Sequence, residues 1–348
     1  MTRTWRALVL GGGGAKGEFE LGVAEFLAEQ GCGFEFFSGV SVGALNSSVL
    51  AQHASLADGV ARLRSLWDSI RADSDIYSKP FPGGAIGTGL GALFSLFSSS
   101  GIARDSIHSS APLRRLIEQH VTWEALQRSG KMWSVGVTSL TDGTYYLVSN
   151  DARLMPAARA EGARLTLTLD PGREGSIPDH VVDFILASSS MPVLFPPVDI
   201  YGHRFVDGGL RDITPLSSAF KAAKLHQETN QDRVIVVVST SPAVIGARGA
   251  DELDSGQEIA GRTIDIMAHE ILANDLKCAG QRNNQPGYLK ADVISIRPDF
   301  EPTLGTLEFG DPGKRAELRR HGRDMAQKAF REGQLAKLSE KSDSGRSA

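Results

Sequence analysis

Two cysteines in 348 residues, Cys32 and Cys278, are too few for a disulfide framework, so a reducing, cytoplasmic setting is the expectation. Basic charge is not in excess: 37 Lys and Arg stand against 41 Asp and Glu, for a formal net charge of −4. That balance gives no field to attract nucleic acid. No uninterrupted apolar run reaches about 18 residues, so no membrane-spanning helix is expected. The apolar residues between Arg6 and the glycines at Gly11 are too few for a secretory signal core. No cluster of His, Cys, Asp and Glu has metal-ligand spacing, and the expectation is a protein without metal or other cofactor.

What the chain does have is an alternation of short apolar runs and helical patterns. Ala7–Leu10 reads as a buried strand ending in four glycines. Phe19, Val23, Phe26 and Leu27 then recur at helical spacing, with Gly31 as a stop. Phe34–Phe37 reads as a second strand and Ala44–Gln52 as a second helix. This order predicts a parallel sheet with crossover helices, an α/β fold of three α/β/α layers. Ala61–Ile70 reads as helical, and Met132–Leu140 and Thr144–Ser149 flank the hairpin signal Asp142-Gly143. Later strands are expected at Arg164–Asp170, Arg204–Val206, Arg233–Ser239 and Asp292–Arg297, and helices at Glu258–Cys278 and Lys314–Leu338.

Three motifs fall at strand ends. Gly12, Gly13, Gly14 and Gly17 form a loop between strand and helix, where backbone N–H groups can converge on an anion or a developing oxyanion. Gly39-Val40-Ser41-Val42-Gly43 has the strand-to-helix context of a nucleophile elbow. In a chain with 38 glycines that pattern means little alone. Asp207-Gly208-Gly209 follows a predicted strand and can bring a carboxylate to a neighbouring loop, although an isolated Asp-Gly is usually a turn. Together, at the carboxyl edge of one sheet, they point to a single site.

In that order the motifs resemble the patatin-like phospholipase family, as does the stretch from Ala187 to Val198. The resemblance runs from about residue 6 to about 240. It implies a dyad in which Ser41 attacks an ester carbonyl, Asp207 takes the proton and the Gly12–Gly14 loop holds the oxyanion. Gly39, Gly43, Gly208 and Gly209 would support the elbow and the aspartate loop. It further implies a lipid acyl hydrolase acting on a phospholipid, a lysophospholipid or another fatty-acyl ester. One departure stands out: family members commonly carry an Asn shortly before the Pro that follows D-G-G, and this chain has Asp212-Ile213-Thr214-Pro215.

Three rivals compete. Gly12, Gly14 and Gly17 also satisfy the dinucleotide pattern G-x-G-x-x-G, with Glu35 as the ribose acid. A Ser-His-Asp hydrolase would need His226, His269 or His321. A catalytically idle lipid-binding relative would keep the motifs without the reaction. As domains, residues 1–310 are expected to form the hydrolase, 311–338 a charged helix and 339–348 a disordered tail. Two segments are candidates for peripheral membrane contact: the apolar Gly/Ser-rich stretch 80–103, as a cap, and the basic C-terminal helix.

Overall fold

The computed structural model describes residues 4–78, 106–155, 176–226, 232–247, 249, 256–283 and 289–338. The expected cap at 80–103, the strand at 164–170 and the tail at 339–348 lie outside the described residues.

Strand β1 (Trp5–Leu10) leads into the glycine loop and helix α1 (Glu18–Glu29). Next come β2 (Phe36–Gly39), α2 (Val42–Ala51) and α3 (Leu56–Ser69). Helices α4 (Ala111–His120) and α5 (Trp123–Arg128) precede the hairpin β3 (Met132–Ser139) and β4 (Tyr145–Ser149). Helix α6 (Val181–Ser188) is followed by β5 (Val198–Ile200), β6 (His203–Asp207) and α7 (Leu216–Leu225). The chain closes with β7 (Arg233–Val238), α8 (Gly256–Asn283), β8 (Asp292–Ile296) and α9 (Pro312–Arg331).

The strands form one sheet in the order β5-β6-β3-β2-β1-β7-β8, with β4 also on β3. Its centre is parallel, and β4, β5 and β6 are antiparallel additions. Along β1, Leu8 and Leu10 pack on the face of α1, α2 and α3, whereas Trp5, Ala7 and Val9 pack on the face of α7 and α8. The strand's period of two thus supplies both cores, as three layers require. The expected α/β/α architecture is the one observed.

The hairpin at Asp142-Gly143 forms as read. Gly143 has φ of +72°, and Asp142 accepts the Thr144 N–H and the Tyr146 hydroxyl. Asp58-Gly59 lies in the first turn of α3, where Ser55 accepts the Asp58 N–H. Among the described residues no helix is long and apolar enough to cross a membrane. The basic helix α9 lies on α1. Arg315 and Arg319 clasp Glu18, and Arg323 pairs with Glu29 at the surface, while Arg320, Lys328 and Arg331 are exposed.

Candidate active site

Ser41 and Asp207 meet because of how β3 is shared. β4 pairs with Ser134–Thr138 of β3, overlapping the stretches that pair with β2 and with β6. A strand has two edges, so β2 and β6 occupy the same edge in succession. β2 runs parallel and ends with Gly39 opposite Val135. β6 runs antiparallel from the other direction and ends with Asp207 opposite Val137. The two strand ends face each other across Gly136. Asp207 was expected at the carboxyl edge of a parallel strand; it arrives instead on an antiparallel strand aimed at that edge.

Gly136 lies in a gap where neither β2 nor β6 continues the ladder. Its carbonyl is taken by the Ser188 hydroxyl at 2.7 Å, and Ser188 Oγ accepts the Ser41 N–H at 3.1 Å. Ser189 donates to the Ser41 carbonyl at 3.2 Å, and the Ser190 carbonyl accepts the Asp207 N–H at 2.9 Å. Three consecutive serines at the end of α6 therefore brace both sides of the gap. They lie in the stretch that carried the family resemblance, but nothing in that stretch assigns a role to each serine.

Ser41 is held at φ 57°, ψ −130°, a strained conformation for a side-chain-bearing residue. The turn is tight enough that a Cβ on Gly39 would strike the Gly43 carbonyl, and one on Gly43 would strike the Leu10 and Gly11 carbonyls. Only glycine fits at either position. Ser41 caps the N-terminus of α2, whose dipole favours negative charge at that point. Ser41 and Asp207 are both buried, at 6% and 4% exposure. The Ser41 hydroxyl faces the Asp207 carboxylate closely enough to favour its charged form, and the Gly209 N–H donates to Asp207 Oδ1 at 2.7 Å. Burial raises the Asp207 carboxyl to about 7, against the pull of those two groups. Gly208 packs directly on the Gly136 carbonyl.

The glycine loop lies beside Ser41. Gly12 N–H is spent on the Ile213 carbonyl, while Thr240 Oγ1 donates to the Gly12 carbonyl. The Ala15 N–H goes to the Thr306 carbonyl. Among the described residues no acceptor meets the N–H of Gly13 or Gly14, so both remain able to donate to a bound group. Gly17 lines neither cavity at the site; it packs against Val42 and Trp67, and its carbonyl accepts from Asn46. In the stretch Asp212–Pro215, which lacks the Asn common in the family, Asp212 supports its own loop by accepting the Thr214 N–H at 3.2 Å. Burial and the neighbouring Asp275 raise its carboxyl to about 7.

Two cavities meet at Ser41. One is lined by Gly12, Gly13, Lys16, Asp207, Leu210 and Asp265 among others. The other is apolar, with Leu45, Leu66, Trp67, Ile76, Leu113 and Phe309 in its wall. No histidine lines either among the described residues. His226, His269 and His321 are half-buried, and engage Met132, Arg297 and Asp299 respectively. Glu35 precedes β2 and accepts the Arg6 backbone N–H at 2.8 Å. It is therefore at the wrong end of that strand to meet a ribose beside the glycine loop.

The sequence model of the patatin-like phospholipase family matches residues 8–220. The chain belongs to the patatin-like phospholipase family. No curated protein matches the sequence. Among solved structures it is similar to VipD from Legionella pneumophila, at 17% identity and a TM-score of 0.43, over 95% of this chain and 67% of that one. It is also similar to ExoU in the ExoU–SpcU complex of the Pseudomonas aeruginosa type III secretion system, at 16% identity and a TM-score of 0.38. That match covers 97% of this chain, which spans about half of the other, 52%.

Proposed function

We propose that this patatin-like protein hydrolyses lipid acyl esters through a Ser41–Asp207 dyad. The observation that carries the reading is the meeting of Ser41 and Asp207 across Gly136, with the carboxyl raised to about 7. A base is most effective when its pKa lies near the working pH, and an ordinary aspartate is too weak.

In the reaction, ionised Asp207 accepts the Ser41 proton as Oγ attacks the ester carbonyl. The N–H groups of Gly13 and Gly14 and the N-terminus of α2 receive the charge that develops on the carbonyl oxygen. The C–O bond to the leaving alcohol breaks, and the proton held by Asp207 passes to that oxygen. Water then attacks the acyl-enzyme carbonyl and gives a proton to Asp207; the bond to Ser41 Oγ breaks, that proton passes to Oγ, and the fatty acid leaves with Ser41 and the carboxylate restored. The apolar cavity lined by Trp67, Ile76, Leu113 and Phe309 suits the acyl chain, and the family suits a phospholipid or lysophospholipid.

The test is intact mass after exposure to a fluorophosphonate. Wild type is expected to gain one adduct, Ser41→Ala none, and Asp207→Asn one that forms slowly. An unlabelled wild type, or labelling that survives Ser41→Ala, would overturn the assignment.

A further inference from the structure

We propose that Lys16 is the binding residue for the phosphate of the lipid head group, and that Asp265 occupies the place of that phosphate in the free protein. The inference rests on the reading of Ser41 as the nucleophile, and deepens it by assigning the cavity that the acyl chain does not use.

Lys16 belongs to the glycine loop and is 8% exposed. Its Nζ lies 3.0 Å from Asp265 Oδ1, and both side chains line the same cavity as Ser41, Gly13 and Asp207. Lys16 is the one cation among the residues of that lining. Removing an ammonium group from water is costly without a partner. Asp265 supplies the partner, from the part of α8 that overlies the site.

Holding α8 in place does not account for the pair. Leu272 and Ala279 of the same helix are buried in the core beside α7, and Arg262, one turn before Asp265, is paired with Glu301 at 2.9 Å. An apolar contact would serve as well as a pinning ion pair, at smaller desolvation cost. An ammonium group has three donors, and among the described residues its one hydrogen bond is to Asp265. The side chain of Asp265 is 25% exposed, so an incoming anion can reach the pair from solvent.

With the acyl chain in the apolar cavity, the alcohol part of the ester extends into this second cavity. A phosphate there takes over Lys16 and releases Asp265. A neutral glyceride brings no charge with which to displace it. The pair therefore discriminates between phosphate-bearing and neutral lipids, by an exchange of one anion for another.

The two partners predict opposite effects, which a simple structural bridge would not. Binding is measured on Ser41→Ala, so that turnover is absent, for a lysophospholipid and a monoacylglycerol of equal chain length, and for glycerol phosphate alone. Adding Lys16→Met is expected to weaken the lysophospholipid about tenfold relative to the monoacylglycerol. Adding Asp265→Asn is expected to tighten it several-fold, and Lys16→Arg to retain most of the preference, which controls for folding. If Lys16→Met and Asp265→Asn both weaken binding, the pair only pins α8 and the inference falls. Glycerol phosphate binding as tightly as the lysophospholipid would overturn the lipid assignment in favour of a free phosphate ester. Fluorophosphonate labelling of wild type reports separately on Ser41, so failure of the hydrolase reading is not confused with failure of this one.

Discussion

An aspartate with its usual pKa near 4 holds a proton too weakly to take one from serine at neutral pH. Asp207 is different because desolvation outweighs the Gly209 N–H and the Ser41 hydroxyl, which both favour its charged form. Two outcomes follow at this residue. The base form is the ionised one, so kcat/KM for a short soluble ester is expected to rise with pH and level off above about pH 7. A profile flat across that range would remove Asp207 as the base. Stability has the opposite sign. With the folded pKa raised, the native state binds the proton more tightly than the unfolded chain, and the resulting stability is lost as pH rises from about 4 through about 7. Asp207→Asn is therefore expected to abolish turnover yet raise the melting temperature by several degrees above about pH 8, and by little below about pH 4. Equal shifts at both ends would mean the cost does not come from ionisation.

At the scale of elements, the two cavities at Ser41 are made by different layers. The apolar one lies among α2, α3 and α4, which contribute Leu45, Leu66, Trp67 and Leu113. Helix α8 overhangs the other with Asp265, Met267 and Ala268. Enlarging the α4 wall by Leu113→Trp is expected to shift the preferred ester toward shorter acyl chains. Each methylene no longer accommodated lowers relative kcat/KM about fourfold, the equivalent of about 0.8 kcal/mol. A series of p-nitrophenyl esters reads this directly, and an unchanged chain-length profile would place the acyl group elsewhere. The elbow turn was legible from Gly39, Ser41 and Gly43, because steric demands on a strand-to-helix turn are local. The serine braces of α6 were not, since Ser188 matters only after the ends of β2 and β6 leave the Gly136 carbonyl without a ladder partner.

Across the whole molecule, α9 closes the fold on α1. Glu18 is 1% exposed and receives both Arg315 and Arg319, while Arg315 also donates to the carbonyls of Trp67 and Ile70. Burial pushes the Glu18 carboxyl up, and the two guanidinium groups pull against that shift. Arg315→Met strips part of this compensation and leaves buried carbonyls without donors. It is expected to destabilise the protein by about 3 kcal/mol in denaturant unfolding. A loss below about 1 kcal/mol would show that Arg319 suffices. The composition of this helix marked it as basic but not that Arg315 and Arg319 turn onto Glu18, because sequence records charge but not the direction in which a helix turns it.

The alternation of glycine-ended strands with helices determined the α/β class by itself, and the order of the three motifs singled out Ser41 and Asp207 as candidates. Each motif is a local backbone requirement that few other residues meet. The meeting of Ser41 with Asp207 was decided only by tertiary structure. It depends on two strands of opposite direction sharing one edge of β3, a pairing between segments about 165 residues apart that no local pattern encodes. The same holds for Lys16 and Asp265, and for the raised pKa of Asp207. Burial and charge partners are properties of the packed chain, because desolvation begins only when distant segments close over the group.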